Sequence, residues 1–298
     1  MPFLPGWNER IEQARTLPQI AVPPRMMPLA PRYFVNKINF VDSIDGAQRM
    51  LQFARQRPLS RIGWDSEFKY DRPGVEIRKR TIVFDPRSIH PLLLSLAFVE
   101  PSADGDQIYC FVIDLRKPDL LPYLAELFRS PIRFVGHFLK VEHFCLWQLG
   151  LPEPVILWDT WVAEKTRYAG RHNHHYKLKR HADEAEEAQA KEESAEVSEY
   201  FHSLVATCDR HGISHKMTAS KKRLQESFLS HPDDAPFTQE QIDYAGEDAI
   251  VAALLLPTQV VAAVNDGTLH HLETIEMAWV RTNARVEWNG IKIDSESR

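Results

Sequence analysis

Asp65 and Glu67 lie in an extended, largely apolar segment, Ile62-Gly63-Trp64-Asp65-Ser66-Glu67-Phe68. Residues two apart in a strand point to the same face, so two carboxylates stand side by side among bulky neighbours. That arrangement is costly unless a cation or a strong partner compensates. Tyr244 and Asp248, in Tyr244-Ala245-Gly246-Glu247-Asp248-Ala249, are spaced to stack a phenol and a carboxylate one turn apart on a single helix face. Asp248 is then available to join Asp65 and Glu67 around one cation. Two further acids are Glu142, closing Val135-Gly136-His137-Phe138-Leu139-Lys140-Val141-Glu142, and Asp159 in Trp158-Asp159-Thr160. An all-oxygen donor set suits Mg²⁺ or Mn²⁺, whereas Zn²⁺ would recruit His or Cys.

The elements that must position these groups follow from periodicity. Tyr33–Phe40 alternates as a strand, Ile44–Arg55 has helical spacing behind Asp42 or Ser43 as a cap, and Ser60–Phe68 is extended. Strands over Leu92–Val99 and Ile108–Asp114 flank Pro101-Ser102-Ala103-Asp104-Gly105-Asp106, a turn that joins an antiparallel pair. A helix over Asp119–Arg129, a strand over Ile132–Val135, a helix near Leu139–Leu149 and a strand over Val155–Leu157 lead into a helix from Asp159. Thr238, with Gln241 three residues on, opens a helix running to Val264; a second runs from Leu269 to Glu287 and stops at Gly290. Strands first and alternating helices later predict a mixed sheet covered by helices.

Two segments break the rhythm. The prolines at 2, 5, 18, 23, 24, 28 and 31 make residues 1–32 an irregular arm. Residues 171–200 form a charged insertion, and its Arg171-His172-Asn173-His174-His175 run matches no compact metal-ligand set. The net charge of −5 gives no global attraction to a polyanion, so nucleic-acid binding would rest on local basic patches and bound cations. Cys110, Cys145 and Cys208 read as reduced core thiols. No signal pattern and no apolar run of membrane length is evident, so a cytoplasmic protein with no membrane partner is expected.

Taken in order, the segments around Asp65, Glu142, Asp159 and Asp248 resemble the DEDDy exonucleases, most closely the proofreading domain of the DNA polymerase I family (family A). His202-Ser203-Leu204 and Lys222-Arg223-Leu224-Gln225-Glu226-Ser227-Phe228 look similar to further segments of that family. The closing Glu287-Trp288-Asn289-Gly290-Ile291-Lys292-Ile293-Asp294 resembles the sequence that begins the family's polymerase region. The resemblance spans about residues 33–298 apart from the insertion. It implies an exonuclease domain over 33–264 and the helical start of a polymerase region over 265–298, belonging to a larger parent polymerase.

The fold implied is α/β: a ribonuclease H-like mixed sheet flanked by helices, of the DnaQ-like exonuclease type, with a C-terminal helical extension and the acids converging at one sheet edge. The activity implied is 3′→5′ removal of nucleotides from a single-stranded DNA end or frayed primer terminus, by hydrolysis with two Mg²⁺ or Mn²⁺ ions. Asp65, Glu67, Glu142 and Asp248 would hold the metals and Tyr244 would align the attacking water. The nucleoid or a phage-infected cell is the implied setting. Asp-Thr occurs at the position of Asp159 in the family beside its four acids, so Asp159 is read as a helix N-cap.

This chain departs from the family in the second motif, where Phe138, Val141 and Glu142 replace the usual Asn, Phe and Asp. One extra methylene moves a carboxylate ~1.5 Å, against a tolerance of roughly 0.5 Å. A shift of that size costs on the order of 100-fold in rate unless the helix compensates. The first metal site is therefore expected intact and the second weakened, with activity surviving. Lys140, Arg78, Lys79, Arg80, Lys221, Lys222 and Arg223 are candidate phosphate contacts. Phe68 and Phe138 are candidate stacking surfaces for a terminal base, and Trp64 is read as core. A ribonuclease D-like exonuclease, which Asp65-Ser66-Glu67-Phe68 also resembles, and a degenerate exonuclease fold that holds a strand without cutting it are the alternatives.

Overall fold

The computed structural model describes residues 32–70, 75–78, 81–83, 85–168, 201–215 and 221–290. The expected arm (but for Arg32) and the expected insertion lie outside these residues. In chain order the elements are β1 (Tyr33–Val35), β2 (Asn39–Val41), α1 (Ile44–Gln56), β3 (Arg61–Tyr70), β4 (Val75–Arg78), β5 (Thr81–Val83), β6 (Ile89–Glu100) and β7 (Asp106–Asp114). There follow α2 (Leu121–Phe128), β8 (Arg133–Gly136), α3 (Lys140–Gln148), β9 (Ile156–Asp159) and α4 (Thr160–Arg167). The last helices are α5 (Leu204–His211), α6 (Lys221–Leu229), α7 (Gln239–Asn265) and α8 (Met277–Asn289).

The main sheet has the order β1-β7-β6-β3-β8-β9, with β2 also pairing β7. Strands β3, β6 and β7 form antiparallel neighbours, while β8 runs parallel to β3 and β9 parallel to β8. The expected strand over Tyr33–Phe40 is two pieces laid end to end along β7, pairing with Asp106–Ile108 and then with Phe111–Ile113. The break falls at Asn36, whose backbone N–H and side-chain amide both donate to the Ile108 carbonyl. A separate hairpin, β4–β5, follows β3 and has no counterpart among the expected strands.

Helices cover both faces because each carries an apolar stripe. In α1, Ala47, Met50, Leu51 and Ala54 are buried at helical spacing, and Ser43 caps the start by accepting from Gly46 N–H. They join Trp64, Phe98, Phe128 and Phe134 in one core. The opposite core sets α5, α6 and α7 against the other face of β6 and β7. A third cluster joins Phe144 and Cys145 of α3 to Ala284 and Trp288 of α8, so the C-terminal segment packs onto the sheet domain. The three cysteines are buried and unbridged.

Helix α7 is held at its start by the expected capping box of Thr238 and Gln241. Contrary to the sequence reading, it contains a stretch long and apolar enough to cross a membrane by length and composition alone. Because 72% of that stretch is buried, it serves as the central core helix. It lies directly on β3, and Gly63 makes this approach possible. A Cβ at Gly63 would sit 2.0 Å from the Ala249 carbonyl oxygen.

Candidate active site

The acids gather at the middle of the sheet rather than at its edge strand. Strand β3 has β6 on one side and β8 on the other. Its pairing with β8 involves Ile62 and Gly63, so Asp65 and Glu67 lie just past the point where β8 turns away into α3. Pairing order depends on long-range contacts that periodicity along one strand does not record. Asp65 and Glu67 are half-buried on β3, with Ser66 between them pointing into the protein.

Glu142 sits in the first turn of α3 and is 5% exposed. Burial, then the negative charge of Asp65, raise its carboxyl well above the usual carboxylate range; Asp159 adds to the rise and Glu142's own backbone opposes it. Its Oε2 is buried without a hydrogen-bond partner. Tyr244 and Asp248 arrive from α7, at 9% and 7% exposure. Burial pushes the Tyr244 phenol up, as do the charges of Asp248, Glu67 and Asp65, against a hydrogen bond with the Gln225 side chain. The fold therefore brings together all five residues expected to do chemistry: Asp65, Glu67, Glu142, Tyr244 and Asp248.

Asp65 stands close enough to Glu142 to raise its proton affinity. Yet among the described residues no three His, Cys, Asp or Glu side chains are drawn tightly enough together to hold an ion as they stand. Like charges facing one another in a partly dry site have no reason to converge further without a counter-charge. The donors nonetheless fit hard divalent cations. They are all carboxylate oxygens, and the buried, unsatisfied Glu142 Oε2 is the kind of atom a cation would satisfy.

Asp159 is engaged by backbone amides on both of its oxygens. Its Oδ1 accepts from the backbone N–H of Phe138 at 3.0 Å, Trp161 at 2.9 Å and Val162 at 3.2 Å, and its Oδ2 from Leu139 N–H at 2.8 Å. One carboxylate thus caps α4, as expected, and also pins the loop from which α3, and hence Glu142, departs. Burial raises this carboxyl to about 6 against those same hydrogen bonds. The loop carries Phe138 at φ 66°, a left-handed conformation rare for a bulky residue. Gly136 keeps the loop close to β3, since a Cβ there would fall 2.7 Å from the Trp64 carbonyl oxygen. His137 bonds Thr160 Oγ1 at 2.8 Å and the His202 carbonyl at 3.0 Å, tying this loop to α4.

The candidate strand-binding residues divide. Phe68 packs beside Phe144 and Cys145. Trp64 is fully buried among Phe128, Phe134 and His143, as the core reading expects. Phe138 and Lys140 are half-buried near the acids, and Lys140 Nζ pairs with Glu287 at 2.8 Å. Arg223 pairs with Glu240. Arg78 ends β4, whereas Lys79 and Arg80 lie outside the described residues, as do the side chains of Lys221 and Lys222. Two site neighbours were not among the expected site residues: Gln225, which bonds the Tyr244 phenol, and Cys145, one turn after Glu142, whose thiol burial and the charges of Glu142, Asp65 and Glu67 push up. The helical spacing from Glu142 to Cys145 was the one available clue.

No family model and no curated protein matches the chain. Among solved structures it is similar to the catalytic core of RRP6 from Trypanosoma brucei, with a TM-score of 0.55 and 15% identity over 94% of this chain and 61% of that one. It is similar also to Brucella melitensis NrnC with bound Mg²⁺, with a TM-score of 0.51 and 14% identity over 88% of this chain and 98% of that one. The third likeness is to Trypanosoma brucei RNase D in complex with RNA U12, with a TM-score of 0.50 and 15% identity over 88% and 74% of the two chains. The sheet order, the helices on its faces and these likenesses identify the architecture as a mixed α/β, ribonuclease H-like fold.

Proposed function

We propose that the chain is a metal-dependent 3′→5′ exonuclease that removes nucleotides from single-stranded DNA ends, the proofreading part of a family A polymerase working in the cytoplasm. The observation that carries this reading is the convergence of Asp65, Glu67, Glu142, Asp248 and Tyr244 from β3, α3 and α7 at one place in a nuclease fold. When bound, two divalent cations supply a nucleophile at neutral pH and charge to stabilise the leaving 3′ oxygen. Asp65, Glu67 and Asp248 would hold one ion, and Glu142 would help to hold the second.

The buried phenol of Tyr244 stays protonated and orients water by hydrogen bonding once it turns from Gln225, a positioning role rather than a titrating one. Glu142 is longer than the family's usual Asp, and its helix is fixed by the Asp159 bonds to Phe138 and Leu139. That combination supports a weakened second ion site. The polymerase assignment rests on Tyr244-Ala245-Gly246-Glu247-Asp248-Ala249 and on the closing Glu287–Asp294 run.

A second reading, a ribonuclease D-like exoribonuclease, is favoured by the fold likeness to RRP6 and to RNase D solved with RNA. Digestion of 5′-labelled single-stranded DNA and RNA in Mg²⁺ and in Mn²⁺ tests both. A ladder of 3′-shortened DNA that Asp65→Ala abolishes is expected, with Glu142→Asp cutting faster than the parent. Faster digestion of the RNA would move the assignment to the second reading. No cleavage by the parent or by Glu142→Asp on either substrate would overturn the enzyme reading in favour of a strand-holding fold.

A further inference from the structure

Beside the acids runs a continuous array of cations and aromatic rings that the proposed chemistry leaves unused. Phe138 and Trp161 meet edge to face, with ring centroids 5.0 Å apart and planes at 67°. Lys140 Nζ stands 5.0 Å from the Phe138 ring and Lys165 Nζ stands 4.9 Å from the Trp161 ring. All four side chains are half-buried, so each ring presents area to solvent.

Two features mark the array as held rather than incidental. Phe138 keeps the left-handed backbone at φ 66°, and strain of this kind in a bulky residue persists only where the surroundings enforce it. Here they do, because the same Asp159 Oδ1 accepts both the Phe138 and the Trp161 backbone N–H. A single buried oxygen thus fixes the two rings against each other. Phe138 lies in the loop that leads into α3, and the Asp159 carboxylate that holds it also acts on Glu142, which places the array beside the acid cluster.

We propose that Phe138, Trp161, Lys140 and Lys165 form a platform that holds the single strand next to its 3′ end, by stacking on bases and by pairing with phosphates. The platform rests on the nucleolytic reading of the adjoining acids for its direction, though its binding can be measured without cleavage. Aromatic faces flanked by cations suit a single strand because every base has a stacking face while the backbone charge repeats. Lys140 would exchange its pairing with Glu287 for a phosphate.

The test is fluorescence anisotropy with 5′-fluorescein oligo(dT) and oligo(rU) in EDTA, followed by KM and kcat in Mn²⁺. Trp161→Ala is expected to raise Kd about 10-fold on both strands, and to raise KM with kcat little changed. Lys165→Gln should reduce the slope of log K against log salt by about 0.7. Trp161→Phe, which keeps an aromatic face, guards against misfolding and should bind like the parent. Kd values and salt slopes equal to the parent's in folded Trp161→Ala and Lys165→Gln would overturn the platform. A parent that binds both strands through Trp161 but cuts neither would leave the platform standing and remove the nuclease reading. Cleavage with a KM indifferent to Trp161→Ala would do the reverse.

Discussion

The left-handed backbone at Phe138 can be separated experimentally from the ring it carries. Phe138→Ala, Phe138→Gly and Phe138→Asn all remove the ring and its contact with Trp161. Only Ala keeps the full penalty of a positive φ, about 1–2 kcal/mol. Gly and Asn adopt that region readily, although Gly gains ~0.4–1 kcal/mol of freedom in the unfolded chain. Urea unfolding is therefore expected to rank Asn above Ala by about 1 kcal/mol, with Gly between them; Ala ranked most stable would mean that the loop is not left-handed. The sequence held half of this. Phe138 stands where the resembled family carries Asn, a residue at ease in the left-handed region, but the cost of the exchange shows only once φ is known. Asp159 was legible as a cap from Trp158-Asp159-Thr160. Its second task, receiving the Phe138 and Leu139 amides, joins residues about twenty positions apart, and no local pattern encodes that.

Among the elements, the contact of α7 with β3 sets the spacing of the site. Gly63 lies two residues before Asp65, and Ala249 one residue after Asp248, so the point of closest approach adjoins both acids. Gly63→Ala would force a Cβ into the Ala249 carbonyl, which is backbone and cannot swing aside. A loss of about 3 kcal/mol is expected, with a fall in cleavage rate on the order of 100-fold as Asp248 is pushed from Asp65. Chemical denaturation and Mn²⁺-dependent cleavage of the same sample check it, and a Gly63→Ala protein as stable as the parent would refute the close approach. The helices themselves were readable because their caps and stripes agree, as Ser43 with Ala47, Met50, Leu51 and Ala54 does. The hairpin β4–β5 was not, because Val75–Val83 is short and is interrupted by Arg78-Lys79-Arg80, a run that reads equally well as a basic loop. The break between β1 and β2 was hidden for another reason. Asn36 supplies through its side chain a bond to the Ile108 carbonyl, and the alternation on either side of it continues undisturbed.

For the molecule as a whole, the acid cluster ties stability to pH and, on the proposed function, to divalent cations. Glu142 binds its proton more tightly in the folded protein than in the unfolded chain, since burial and Asp65 oppose its charge. The folded state then holds the extra proton above the ordinary carboxylate range, about pH 4.3, and stability declines as pH rises through the folded value. Asp159, at about 6, contributes in the same direction below that pH. In EDTA, the Tm advantage of Glu142→Gln over the parent should widen from pH 5 to pH 8, and saturating Mn²⁺ should narrow it by stabilising the parent. An advantage constant with pH would mean that Glu142 is not proton-linked to folding. The same long-range assembly governs how the chain is made. The described strands are all synthesised before α7, whose 27 residues cover β3 and complete both the core and the acid cluster. Until Asn265 has emerged from the ribosome, a sheet rich in Val and Leu has one face covered only in part, by α5 and α6, the kind of state in which nascent chains aggregate. Release of everything through Arg167 therefore yields an intermediate that holds every described strand but is sticky, and translation speed across the stretch between α4 and α7 becomes a determinant of how much protein survives to fold.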